Sequence, residues 1–221
     1  MSDDRPTNRI ETALLELAAT RAFRDIRLAA VAERAGVGLA ELRLAYDGPL
    51  DIVSGFCRRI DVAVLEGVDA SLAGEPVKDR LFDALMRRFD LLAPYRAGLA
   101  GLERSARRDP VLALHLVRLV VGSQAWLLEA AGVAASGPLG AMRALALTAA
   151  LHRLAPTFFA DTDPGLSKTM AALDAALERL GSLEARFGRG IARLCGGRRR
   201  AEPVAESPVG DATAGEAAAG A

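Results

Sequence analysis

Cysteine is almost missing from this 221-residue chain: Cys57 and Cys195 stand far apart, and neither has a CxxC partner. That excludes a disulfide framework and any thiolate-rich metal centre. Histidine is equally scarce. His115 and His152 are not paired with a recognisable serine or cysteine nucleophile, and there is no HExxH stretch or phosphate-cradling glycine loop. These absences predict a protein that is not an enzyme, with no catalytic residue, no metal ligand and no cofactor. Charge of either sign is not in excess: 28 Lys and Arg balance 28 Asp and Glu, so nothing global draws the chain to nucleic acid or anionic lipid, and only local patches can do so. The opening MSDDRPTNRI is polar and runs into an amphipathic helix rather than a secretory leader, which predicts a cytoplasmic location.

What is present is alanine and leucine. The chain is 51% hydrophobic with few β-branched strand segments, so an all-α fold is expected. Its length allows a small head plus a larger body. The most informative stretch is 10–53. Ile10, Ala13, Leu14, Leu17 and Ala18 recur at helical spacing, and Phe23 can close the end of that stripe. Leu28, Val31, Ala32 and Ala35 then lead into Gly36-Val37-Gly38, after which Leu39, Leu42 and Tyr46 resume the period. Two helices meeting at a tight glycine corner and packing on a preceding helix form a helix-turn-helix. Pro49 suits the first turn of a fourth helix, expected over about 49–68.

Phe23, Val31, Ala32, Ala35, Gly36, Val37, Leu42 and Tyr46 together resemble the DNA-binding end of the TetR family of all-helical, homodimeric bacterial repressors. The resemblance implies a TetR-like fold, in which a three-helix head is joined by a long helix to a larger ligand-binding and dimerisation body. It implies a head at 7–48 and a body at 49–195, with a palindromic double-stranded DNA operator, a small apolar or amphipathic effector and a second copy of the chain as partners. The DNA-binding residues it points to are Arg27, Gly38, Leu39, Ala40, Arg43, Leu44 and Tyr46. At this reading surface the chain departs from the family's usual residues. Arg27 stands where Ser or Thr usually begins the second helix, and Gly38 replaces a hydroxyl cap. Glu41 and Arg43 take the places of a phosphate-touching Thr and Tyr, and Pro49 that of a Lys. From Met1 to Asp47, seven Arg face eight acidic residues, a formal charge of −1. Arg27 and Arg43 are the candidate phosphate donors.

The body offers several apolar stripes. Leu81, Phe82, Leu85, Met86, Phe89 and Leu92 form one that ends near Pro94-Tyr95 and reads as core or as the wall of an effector cavity. Residues 110–133 are apolar enough to raise a membrane question. His115, Arg118, Gln124 and Glu129 interrupt them, so a buried helix of a soluble bundle is expected. His115 and Trp126 read either as core or as ligand contacts; with Phe82, Met86, Phe89 and His152 they make up the candidate pocket. A turn is expected at 132–140, sharpest at Gly137-Pro138, and a kink or stop at Pro156. Asp163 is placed as a cap with Pro164 in the first turn of the last helix, on which Leu166, Met170, Leu173, Leu177 and Leu180 form one face. By the family resemblance, 139–160 and 164–181 would carry the dimer contact.

DPGLSKTMAALDAAL, residues 163–177, with the apolar helix before it, also resembles the isoprenoid-lipid-binding accessory proteins of ubiquinone biosynthesis. That family is TetR-like in fold but has lost DNA binding, and its late amphipathic helix touches the membrane. Here 182–200 is the matching segment. Leu183, Phe187, Ile191 and Leu194 recur at helical spacing, and six Arg against Glu184 give +5, suited to peripheral membrane contact or to a terminal helix followed by a solvated basic run. The segment 196–221, rich in Gly, Ala and Pro and lacking aromatics, is expected to be disordered.

Overall fold

A computed structural model describes residues 5–195, with side chains as far as Ser182. The expected disorder of 196–221 and the side chains of the basic segment 183–200 lie outside the described residues. Every regular element described is helical: α1 Pro6–Thr20, α2 Leu28–Ala35, α3 Leu39–Ala45, α4 Pro49–Glu66, α5 Val77–Leu92, α6 Arg96–Ala106, α7 Pro110–Ala130, α8 Gly137–Ala160 and α9 Ser167–Cys195. Three 3-10 turns, at Phe23–Asp25, Ala70–Gly74 and Ala93–Tyr95, change the chain direction between them.

The first four helices follow the apolar spacing closely. α1 buries Ile10, Ala13, Leu14, Leu17 and Ala18 along one stripe, and Phe23 folds under its end. α2 meets that stripe with Val31, Ala32 and Ala35, and α3 contributes Leu42. α4 brings Ile52, Val53, Phe56, Ile60 and Val64 to the same core and carries it into the body. Packing joins residues up to Leu183, head and body together, into one unit.

The reason is a close crossing of α1 and α6, a helix that the apolar periodicity did not single out. Gly98 and Gly101, one helical turn apart on α6, lie directly on the α1 backbone. A Cβ on Gly98 would come within 2.5 Å of the Leu15 carbonyl oxygen, and one on Gly101 within 1.9 Å of that of Ala18. Only glycine permits this approach. Arg104 donates to the Ala19 carbonyl at 3.0 Å, and the Phe23 amide donates to Ser105 Oγ at 3.1 Å, so the exposed end of α1 is also held by polar bonds from α6.

In the body, α4, α5 and α7 share a buried polar junction. Arg88 Nη1 donates to Asp61 at 2.6 Å, Ser123 Oγ donates to the same Asp61 oxygen at 2.5 Å, and Arg88 also reaches Ser123. Burial beside this junction pushes the Cys57 thiol up to about 11, which leaves it protonated and unreactive at neutral pH. Phe89 of α5 packs on Phe158 of α8, with ring centroids 5.0 Å apart.

Later boundaries differ from the sequence expectation in informative ways. Gly137-Pro138 opens α8 rather than forming a turn; Gly137 has φ +71° and Pro138 occupies the first helical turn, where its missing donor costs nothing. Pro156 sits inside α8, which continues to Ala160. α9 begins at Ser167, not at Pro164. Asp163 accepts from the amides of Gly165 and Ser167, while Asp161 Oδ2 accepts from the Thr169 amide and hydroxyl, both at 2.8 Å. These bonds, the Thr169 amide foremost, hold the Asp161 carboxyl below the usual carboxylate range. Leu166, Leu173 and Leu177 of the last stripe are buried within the chain itself.

The largest correction concerns α7. Expected as a buried helix, it is buried only in part: Pro110–Ala130 is long and apolar enough to cross a membrane, yet only 28% of its most apolar window is buried. Val111, Leu114, Val117 and Trp126 face outward, and on the adjoining α8 so do Leu139, Met142 and Leu145.

Candidate nucleic-acid interface

The helix-turn-helix is built from local chemistry first. α2 ends at Gly36, whose φ of +65° is left-handed; its amide reaches the Ala32 and Glu33 carbonyls, and the Val37 amide returns to Ala32 at 3.0 Å. This closes the helix and turns the chain through a corner that a side chain would strain. α3 then starts at Leu39, and Gly38 before it supplies no side-chain cap. Its stability rests on Leu42, fully buried, and on Tyr46 just past its end.

Tyr46 is where the sequence assignment is corrected. Placed among the DNA contacts, it is buried instead, and its hydroxyl donates to Glu11 Oε1 at 2.8 Å. Burial and the Glu11 carboxylate together push the phenol well above its ordinary range, so it stays a neutral donor. Arg59 of α4 donates to the other Glu11 oxygen at 2.5 Å while lying over the Phe56 and Tyr95 rings at 5.3 and 5.7 Å. Glu11 therefore joins α1, the end of α3 and α4 in one buried network. Gly55 makes room for it, since a Cβ there would lie 2.7 Å from the Tyr46 ring. Sequence reading missed Glu11 because an acidic residue on the first helix carries no signal of burial.

The other candidates are all exposed. Gly38, Leu39, Ala40, Arg43 and Leu44 are all exposed on or beside α3, Leu44 to 90%. Arg27 is exposed at the N-cap of α2 and makes no side-chain cap bond. Arg43 is held by Asp47 at 2.6 Å, an exposed i,i+4 pair that water screens strongly. Glu41 is exposed on the same short helix. The outer side of α3 can present two leucines and an alanine to base edges, with Arg43 on the same helix and Arg27 at the start of α2 as exposed cations.

The six candidate pocket residues do not converge. Phe89 is buried against Phe158, and Phe82 and Met86 are partly buried against the core. His115 Nε2 lies 3.0 Å from both Ser54 Oγ and the Leu50 carbonyl oxygen, tying α7 to the first turns of α4. Trp126 is 62% exposed and His152 is also exposed. None of the six lines either of the two described cavities. Among the described residues no cluster of three or more His, Cys, Asp or Glu is placed to hold a metal.

No protein-family model matches the sequence, and neither does any curated protein. Solved structures do. The chain is similar to the crystal structure of a putative TetR-family transcriptional regulator from Rhodococcus sp., at 21% identity and a TM-score of 0.54 over 78% of this chain and 98% of the other. It is also similar to a TetR transcriptional regulator from Rhodococcus sp. RHA1, at 19% identity and a TM-score of 0.50, over 81% and 97% of the two chains. At such identities the likeness concerns architecture: an all-α chain whose N-terminal helix-turn-helix helices are joined to a larger helical body has the TetR-like fold.

Proposed function

We propose that the protein is a cytoplasmic, homodimeric DNA-binding regulator, a ligand-responsive repressor whose two heads enter successive major grooves of a near-palindromic operator, about 34 Å apart. The observation that carries this reading is the division of labour on α3. Its inner side, Leu42 and the following Tyr46, is wedged into the core, while Leu39, Ala40, Arg43 and Leu44 are turned out. A seven-residue helix without a side-chain cap is weak on its own, and here tertiary packing holds it with its outer face free.

Dimerisation supplies the second half-site. The apolar outer faces of α7 and α8, with Val111, Leu114, Val117, Leu139, Met142 and Leu145, adjoin one another and suit a bundle with the same two helices of a second copy. Since Leu166, Leu173 and Leu177 of the last stripe are spent within the chain, α7 takes the place that the family resemblance assigned to the last helix. An apolar or amphipathic effector bound in the body shifts the population of head separations, and so the fit to two half-sites. Gln124 supports a polar contact for such an effector: it is fully buried, and neither amide atom has a partner among the described residues.

Genome-wide DNA capture with the purified full-length protein at physiological salt tests the reading. An enriched palindrome that survives competitor DNA supports it; a folded dimer that enriches no site overturns it. The second reading, an isoprenoid-lipid-binding accessory protein, draws on the outward apolar face of α7 and the exposed Glu41 on α3. It requires copurifying lipid, liposome attachment lost on deleting 182–200, and no saturable DNA binding.

A further inference from the structure

The larger of the two described cavities lies where α1 meets α6, and none of the α3 residues lines it. Its volume is about 250 Å³, and it is lined by residues 19–24 on one side and by Gly101, Arg104, Ser105, Arg108 and Asp109 on the other. Four of these residues are arginines: Arg21, Arg24, Arg104 and Arg108.

Their charge is poorly compensated. The guanidinium groups of Arg21 and Arg108 have no hydrogen bond or ion pair to any described residue. Arg24 reaches only Asp25, at 3.8 Å and with both side chains well exposed, a pairing of little energy. Arg104 uses one Nη on the Ala19 carbonyl, leaving its remaining N–H groups available. The one lining carboxylate, Asp109, is occupied: its Oδ1 accepts from the Val111 and Leu112 amides as the cap of α7. Ser105 Oγ accepts from the Phe23 amide, so its hydroxyl hydrogen is free to donate.

We propose that this cavity is a binding site for a small polyanion bearing phosphate groups. Its volume suits a molecule of pyrophosphate size, below the range of ordinary drug-sized pockets. Guanidinium forks match pairs of phosphate oxygens, and an anion among four arginines relieves their mutual repulsion. Arg21 and Arg24 follow α1 whereas Arg104 and Arg108 belong to the end of α6 and its following turn. An occupant therefore clamps the head to the body across the seam that Gly98 and Gly101 bring together.

The test is isothermal titration of the full chain with pyrophosphate, with ionic strength held constant by sodium chloride. One saturable site per chain is expected, with affinity falling at least tenfold in Arg21→Gln/Arg108→Gln, whose side chains support no described contact. Arg179→Gln, at an exposed position of α9, is expected to bind as the wild type does. Hydrogen exchange should slow in 19–24 and 101–108 of the wild type alone. Absence of saturable binding, or equal affinity in the cavity variant and the wild type, would overturn the proposal. Because no DNA is present, the result stands apart from the outcome of the operator search.

Discussion

Two surfaces of this molecule leave leucines in water, and they differ in scale and setting. On α3, Leu39 and Leu44 stand on a seven-residue helix among Glu41, Arg43 and Asp47. On α7 and α8, large apolar side chains recur over helices of 21 and 24 residues, with few charges between them. A pair of exposed leucines is ordinary for a soluble protein, but a contiguous apolar face of two long helices is a surface that needs covering. Leucine exposure alone thus points to different partners: a polar groove with isolated methyl groups for the first, another apolar helix pair for the second.

The strongest way to break the comparison is to place charge on the second surface. Leu114→Glu/Leu145→Glu should convert the proposed dimer to a monomer in light scattering, weakening association roughly a hundredfold or more, since each leucine buried at the interface contributes about 1.5–3 kcal/mol. Circular dichroism should be unchanged, because both residues are exposed in the single chain. A variant that stays dimeric would assign the surface to something else.

Next in size is the seam that joins the two regions. Gly101→Ala should lower unfolding free energy by about 3 kcal/mol in urea titration, because the new methyl meets backbone that cannot rotate away. Gly98→Ala, with a 2.5 Å approach in place of 1.9 Å, should cost less. Equal and small losses would show that α1 and α6 separate easily.

Acid sensitivity tests the joint that sets the end of α8 against α9. The Asp161 carboxyl is lowered in the folded state, so its contribution is full above the unfolded value near 4 and disappears as pH falls through the folded value. Asp161→Asn should therefore lose stability at neutral pH and narrow its gap to the wild type as pH falls below the unfolded carboxylate value near 4. A gap that stays constant with pH would remove the carboxylate's charge from the account.

Smaller effects sharpen the α3 side. Arg43→Ala should weaken DNA binding and reduce the salt slope by about 1, while Asp47→Asn, which frees Arg43 from its pair, should tighten binding by about two- to fivefold. Both are read by fluorescence anisotropy across a salt series. An unchanged slope in Arg43→Ala would remove the phosphate role.

The head was legible because its determinants are local. The left-handed Gly36 and the spacing of Phe23, Val31, Ala32, Ala35 and Leu42 describe a corner and the faces on each side of it within 20 residues. Most helix bodies were legible for the same reason, and the first turns were less so: Asp161 and Asp163 both cap the start of α9, and only the observed bonds fix that start at Ser167.

What the sequence alone determined is therefore the helical class and the helix-turn-helix, both products of periodicity and of one residue type that tolerates positive φ. Tertiary structure decided which apolar faces are spent inside the chain. Leu166, Leu173 and Leu177 of the last stripe are buried, whereas Val111, Leu114, Val117 and Trp126 of α7, expected as a buried helix, are exposed, because periodicity specifies that a helix has an apolar side and not what covers it. It decided as well that Tyr46 and Glu11 form a buried pair and that two glycines of α6 fuse head to body, since contacts between residues 35 and more than 80 positions apart leave no local mark.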